Sequence, residues 1–393
     1  MLFDTLSPQP ADPLLGLIGR FRADPQPDKI DLGVGVYFDA HGDTPVFKAV
    51  KLAERVLLET QASKRYLGPE GDREFTAALS HLLFDGTDVD GRWIALQTPG
   101  GTGAVRLAAE TLKRLGVKRV ILGVPSWPVH ANVLDAIGLP AISYDHLDRA
   151  TGRADFDALM QRVEEAGRGD ALLIHGCCHN PSGADLSADE WSTLAEALER
   201  RGVIPLIDLA YHGLGQGLSE DLVGVRAVLS RVPEAMVAYS CDKNFGLYRE
   251  RTGALFTVAA DARAANVVEG HQHAIARAAW SMPPDHGAAT VRIILTYEAL
   301  EPIWRAELDM MRDRIRSIRT ALGRAVSPVE TAPVERQNGL FSLLPLTPHQ
   351  VARLREDHGV YMAASGRINV AGLTETNLPM FVDALRTLES VPA

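Results

Sequence analysis

Residues 171–213 read ALLIHGCCHNPSGADLSADEWSTLAEALERRGVIPLIDLAYHG, and their pattern decides the fold. The stretch opens on a short apolar run, 171–175, and closes on another, 203–207, each of a length that suits a buried strand. Between them Trp191, Leu194, Ala195 and Leu198 recur at i, i+3, i+4 and i+7, one face of a helix. Ser187 starts that helix and Glu190 follows three residues later, the pair of a capping box. A strand, a helix and a strand in this order imply a largely parallel sheet covered on both faces.

Working outward, the runs 119–123, 235–239 and 253–258 repeat the strand pattern, so the expected class is α/β. Residues 46–309 are expected to form a large domain with a mostly parallel sheet flanked by helices. Residues 290–323 then read as one long helix, with Arg312, Arg314, Arg316 and Arg319 on solvated faces. Strand candidates at 340–344 and 367–370 and an amphipathic helix near 377–388 follow. With the Pro- and Gly-rich start of the chain they make a smaller α+β domain, residues 1–45 and 310–393.

The 393 residues are 46% hydrophobic and 23% charged, the make-up of a soluble globular protein. Fifty acidic residues against forty basic ones give a net charge of −10, which speaks against a nucleic-acid partner. Cys177, Cys178 and Cys241 make no disulfide framework, and a reducing cytoplasm is the expected compartment. No signal peptide is visible, and no run reaches the roughly 18–20 apolar residues of a membrane helix. His175 and His179 lie near a strand end, but no metal spacing such as H-E-x-x-H occurs and no metal is expected.

Of the forty basic residues only seven are lysines, and after Lys118 the sole lysine is Lys243. Arginine can replace lysine wherever surface charge is enough, but its guanidinium stays protonated and forms no Schiff base. Lys243 follows the run 235–239, at the end of a parallel strand where ligands bind. Other runs deliver Trp127, Asn180, Asp208 and Tyr211 to the same edge. An amine, a carboxylate, a phenol, an amide and an indole together match pyridoxal phosphate. The amine forms the imine, the carboxylate keeps the pyridine nitrogen protonated, and the indole covers the ring. Gly100-Gly101-Thr102-Gly103 precedes a helical pattern, so backbone N–H groups can meet a phosphate. As a dinucleotide fingerprint the turn fails, since a third glycine is misplaced and no strand of sufficient length is read before it.

These residues sit in segments that resemble the class I pyridoxal-phosphate aminotransferases of the aspartate and aromatic-amino-acid branch, over nearly the whole chain. The segments are ADPLLGL (11–17), LGVGVY (32–37), RYLGPEG (65–71), TPGGTGA (98–104), PSWP (125–128), HGCCHNPSG (175–183), DLAYHG (208–213), KNFGLYRERTGA (243–254), SMPPDHG (281–287) and ASGRINVAG (364–372). The resemblance implies the fold type I architecture of pyridoxal-phosphate transferases. It implies Lys243 as the Schiff-base lysine that also moves the substrate proton, and Asp208 against the pyridine nitrogen with His130 behind it. It implies Asn180 and Tyr211 on the ring oxygen and Trp127 stacked on the ring. It further implies Gly101, Thr102, Gly103, Ser240 and Arg251 on the phosphate. Tyr66 would reach the phosphate of the neighbouring subunit, hence a homodimer with shared sites.

The partners so implied are small-molecule amino acids and 2-oxo acids, neither a nucleic acid nor a membrane. Arg367, with Asn180 and Gly35, would hold the α-carboxylate, for which a forked guanidinium is suited. Arg277 would clamp the distal carboxylate of a dicarboxylic substrate in the other subunit's site. Phe38 and Met282 stand where aspartate-specific members carry lysine and asparagine, and Trp280 adds bulk. A less polar pocket with a mobile arginine favours an aromatic-amino-acid enzyme that also takes dicarboxylates, with 2-oxoglutarate as acceptor. An aspartate aminotransferase is the alternative; a lyase or decarboxylase on the same fold, or a non-catalytic homologue, stands further off. Asp242 replaces a small hydroxylated residue and, by strand alternation, is expected to point away from the site.

Overall fold

Strand residues whose alternate side chains are all apolar must be buried on both faces, and the central strands meet that condition. In the computed structural model, which describes residues 2–7, 13–87, 89, 91–326 and 329–390, Ile121, Leu172, Ile207, Val237 and Phe256 enter one core cluster. Their neighbours Val120, Leu173, Leu206, Met236 and Leu255 enter the other. The strands used below are β1 (Ile30–Asp31), β2 (Trp93–Pro99), β3 (Arg119–Val124), β4 (Ala141–Asp145), β5 (Asp170–His175), β6 (Ile204–Leu209), β7 (Ala235–Ser240) and β8 (Thr252–Val258). After them come β9 (Phe341–Leu343), β10 (Val360–Tyr361) and β11 (Arg367–Asn369). The seven-stranded sheet runs β2-β8-β7-β6-β5-β3-β4. All neighbours pair in parallel except β8, which is antiparallel to both β2 and β7.

The helices that matter for the site are α1 (Gly100–Arg114), α2 (Pro128–Ala136), α3 (Ala188–Arg201), α4 (Ala262–Ala279), α5 (Asp285–Thr296) and α6 (Glu301–Gly323). The capping box on α3 is present as read, with Ser187 accepting from Glu190 N. Elsewhere β9 pairs with β11, and β1 near the chain's start pairs in parallel with β10 near its end. Residues 11 and 12 of the ADPLLGL motif lie outside the described residues.

Several expectations are corrected. Residues 290–323 are not one helix: α5 closes at Tyr297, whose backbone is extended (φ −95°, ψ 114°), and α6 restarts with Pro302 in its first turn. Proline lacks the N–H that a helix start leaves unused, so it fits there and not in mid-helix. Arg319 is buried rather than solvated, and its guanidinium donates to Gly339, Val334, Asn338 and Phe341 carbonyls and to Ser342 Oγ. Burial pushes its pKa down to about 10, opposed by Cys178 and Asp185. β2 and β4 are strands beyond those the pattern predicts: β2 carries Gln97 and Thr98, both buried, and β4 is a largely exposed edge. The glycine turn therefore does follow a seven-residue strand, β2, and α1 begins at Gly100 itself.

Candidate active site

Parallel strands deliver their last residues to one edge, and the register shows which ones meet. His175 is level with Asp208, and Asp208 with Ala238 two residues before Ser240. A cavity of about 200 Å³ opens there, lined by the strand ends, the start of α1 and residues from the C-terminal block. Its walls include Gly35, Gly101, Thr102, Trp127, Asn180, Asp208, Tyr211, Ser240, Lys243, Arg251 and Arg367. Eleven of the residues singled out from sequence thus converge on one space. Gly103, Tyr66 and Arg277 do not line it: Gly103 packs on Pro99, Arg277 is exposed beside Ser281, and Tyr66 is 92% exposed.

Lys243 projects from the turn after β7, its Nζ 5.3 Å from the centre of the Tyr211 ring. Burial pulls its pKa down, while Asp242 and Asp208 oppose that shift. The Lys243 turn is anchored from behind: Trp304 Nε1 donates to Asn244 O at 2.8 Å, and the Phe245 and Trp304 rings stack at 4.5 Å. On the floor, His130 Nε2 donates to Asp208 Oδ2 at 2.8 Å, and Ser126 Oγ sits 2.9 Å from His130 Nδ1. Burial raises the Asp208 pKa, but the His130 hydrogen bond, with Lys243 nearby, outweighs it and holds the carboxyl below its ordinary value. His130, His175 and Asp208 present ligand atoms within 4.8 Å of one another, yet Nε2 and Oδ2 of the first and last are spent on each other. Behind them the rings continue as a buried column, His175 to His179 at 4.5 Å and His179 on His146 at 3.6 Å. Burial pushes His175 down to about 3 and His146 down to about 4, so the column is neutral at physiological pH.

Arg367 stands at the other wall, its guanidinium 4.6 Å from the Phe341 ring centre and its Nη2 donating to Gly33 O at 2.8 Å. Among the described residues its buried Nε has no partner, nor has Asn180 Oδ1. A forked donor with a free N–H, set in an apolar wall, is poised for a carboxylate. Tyr211 is buried between Asp208 and Arg367, and burial followed by the Asp208 charge raises its pKa. At the third wall a Cβ on Gly101 would come 2.8 Å from Ser240 Cβ, and one on Gly100 (φ +69°) would meet Arg251 Nη2 at 2.6 Å. The cradle between the start of α1 and Arg251 therefore exists only because glycines leave it open. Backbone N–H groups at a helix N-terminus with an arginine opposite suit a phosphate.

Sequence reasoning missed Tyr248 and Phe341, which also line the cavity. Phe341 carried a signal, since it lies in a run read as a strand; its role as a wall follows only from its pairing opposite Asn369. Asp242 is corrected: its side chain turns into the cavity and pairs with Arg251 Nη1 at 2.5 Å. The chain leaves β7 at Ser240 in a turn, so strand alternation no longer governs residue 242.

A reactive amine, an ionised carboxylate, a phosphate cradle and a carboxylate-reading arginine around one small cavity define an enzyme that does amine chemistry with a phosphate-bearing cofactor. The family model of class I and II aminotransferases matches residues 27–385. The chain belongs to that family. It is 49% identical over 374 residues to the tyrosine aminotransferase of Rhizobium meliloti (strain 1021), covering 95% of this chain and 96% of that one. To the aspartate aminotransferase of Escherichia coli (strain K12) it is 45% identical, covering 98% and 99%. The solved aromatic-amino-acid aminotransferase of Burkholderia pseudomallei, covalently bound to pyridoxal phosphate, superposes with a TM-score of 0.94 at 34% identity, covering 99% of each chain. The protein is an aminotransferase and its cofactor is pyridoxal phosphate. Among the described residues no helix is long and apolar enough to cross a membrane.

Proposed function

We propose that this aminotransferase moves the amino group of aromatic amino acids to 2-oxoglutarate, accepts dicarboxylic amino acids as well, and works in two half-reactions at one site. The observation that carries the reading is Lys243, an amine of lowered proton affinity, facing an ionised Asp208 and an unsatisfied Arg367 across one cavity. Pyridoxal phosphate, when bound, supplies a carbonyl for amines and a ring that takes up the electron pair left at the substrate carbon. Lys243 holds the cofactor, is displaced by substrate, and then accepts and returns the proton of the substrate Cα. Asp208, kept ionised by His130, holds the proton of the ring nitrogen. Trp127 covers the ring, and Asn180 and Tyr211 hold its oxygen. Gly101, Thr102, Gly103, Ser240 and Arg251 form the phosphate cradle, Gly103 by keeping the first turn of α1 close to Pro99. Arg367, with Asn180 and Gly35, orients the α-carboxylate so that the Cα–H bond faces Lys243. Because the second substrate enters only after the first product leaves, the kinetics are ping-pong.

Tyr66, Arg277 and Met282 belong, in this reading, to a homodimer. Leu67 N lies 3.1 Å from Met282 Sδ, so these segments share one outer region, and none reaches its own chain's cavity. A second copy docked there would bring Tyr66 to the phosphate and Arg277 to the distal carboxylate. The division into residues 46–309 and a smaller block of 1–45 and 310–393 is retained as part of the proposal, as is a cytoplasmic setting.

The 45% identity to an aspartate enzyme favours a second reading, an aspartate aminotransferase whose pocket has drifted. The test is the ratio of kcat/KM for phenylalanine or tyrosine to that for aspartate, with 2-oxoglutarate as common acceptor. A ratio well above one supports the aromatic reading, and one far below one gives the second. No transamination with any of these donors would overturn both.

A further inference from the structure

Asp242 sits where a phosphate has to be received. Its carboxylate is buried and makes two contacts, Oδ2 to Arg251 Nη1 at 2.5 Å and Oδ1 to Thr252 N at 3.3 Å, while its own N–H donates to Ser240 Oγ at 3.3 Å. A Cβ built on Gly100 would lie 3.2 Å from Oδ2, so the carboxylate faces the start of α1 from the same side as Arg251. Ser240, Arg251 and the first turn of α1 are the groups assigned above to the phosphate, and Asp242 touches or faces each of them. Arg251 reaches it from a left-handed backbone position (φ +54°) that folds the guanidinium back across the turn between β7 and β8. The cradle therefore already holds an anion of the chain's own.

We propose that Asp242 is an affinity-setting residue of the cofactor site, a built-in competitor that occupies Arg251 and weakens the hold on a phosphate monoester. This rests on the reading of Arg251 and the start of α1 as a phosphate cradle. Two anions cannot share one guanidinium without loss: the phosphate must take the remaining donors beside a carboxylate, or displace the carboxylate into a buried place with only a backbone N–H. Either way the phosphate arm contributes less than it would with an uncharged neighbour. The ring and carbonyl arms, held by Asp208, Trp127 and Lys243, are untouched by this competition. Cofactor retention is then shifted from the phosphate towards the covalent link at Lys243. That link is given up whenever substrate displaces it, and the cofactor becomes exchangeable during turnover.

The experiment measures dissociation constants of the cofactor-free protein for pyridoxal phosphate and for pyridoxal, which lacks the phosphate. The ratio of the pyridoxal constant to the pyridoxal phosphate constant isolates the phosphate arm and cancels any effect of Asp242 on the Lys243 amine. Asp242→Asn, which keeps an acceptor for Thr252 N, and Asp242→Ser should each raise that ratio at least about tenfold, with pyridoxal binding nearly unchanged. Inorganic phosphate alone should also bind both variants more tightly than the parent. A ratio that stays constant or falls in both variants overturns the proposal, because Asp242 would then be helping to hold Arg251 in place. Arg251→Ala separates the two levels: it should collapse the ratio. An Arg251→Ala ratio equal to the parent's would overturn the cradle reading beneath.

Discussion

Asp208 and Tyr66 stand for two kinds of region in this molecule. Asp208 is a strand residue with 3% of its surface exposed, bonded to a buried histidine. Tyr66 lies between elements and is 92% exposed, and the region it shares with Arg277 and Met282 touches the cavity nowhere. The floor is held by sheet register and hydrogen bonds. The rim is exposed, and in the proposed homodimer a second copy would cover it. A group that must hold a proton to within tenths of an ångström is put on a rigid strand, while the groups proposed to sort substrates sit on exposed segments.

The largest expected effect breaks the floor. Lys243→Ala should lower turnover by about four orders of magnitude with every donor, and Lys243→Arg should fare no better, because a guanidinium does not give up its proton. Single-turnover kinetics with the reconstituted protein measure this, and near-normal rates would remove Lys243 from the reaction. An intermediate effect sharpens the contrast with the rim. Arg277→Leu should cut kcat/KM for aspartate by about a hundredfold and that for phenylalanine only a few-fold. Mixing it with Lys243→Ala protein should restore part of the aspartate activity, since each hybrid dimer would hold one complete site. Equal losses for both donors would place Arg277 outside substrate recognition, and no recovery on mixing would remove it from the other subunit's site.

The smallest effect concerns the histidine column. His146 is pushed from an ordinary 6.5 down to about 4 by burial, although its bond to Ala184 O opposes this. Above pH 6.5 it is neutral in both folded and unfolded chains. As the pH falls from about 6.5 towards 4 the unfolded chain gains a proton that the folded one refuses, so stability drops. The slope is at most about 1.4 kcal/mol per pH unit for each such histidine. His146→Gln should flatten the dependence of Tm on pH in that window and leave it unchanged above pH 7. A Gln variant with the parent's slope would put the acid sensitivity elsewhere.

The sequence was most legible where one physical rule sufficed. Runs such as 171–175 and 235–239 are apolar on both faces, and their polar successors had nowhere to go but the strand ends. β2 was hidden because Gln97 and Thr98 look like surface residues, whereas Gln97 bridges Asp72 N and Pro284 O from a buried position. Arg319 is hidden for the same reason: a helix pattern places a charge outward, and the carbonyls of 334–341 with Ser342 Oγ make burial tolerable. Asp242 lies just past a strand, where period-two reasoning stops, and its partner is nine residues away across a turn. The cradle, the column and the Arg367–Phe341 wall all depend on pairings across long stretches of chain, which local patterns do not encode.

Helix α6 joins two of these places. Near its start Trp304 grips the Lys243 turn, and roughly 22 Å further along its axis, at 1.5 Å per residue, Arg319 grips the segment leading into Phe341. The distance between the amine side of the cavity and its carboxylate-reading wall is thus gauged by a single helical strut that does not line the cavity. A strut of this kind makes tolerance to substitution directional. Side chains on its outer face can vary freely, but a change in its length or pitch would shear the two walls past each other, as a warped ruler spoils every mark at once.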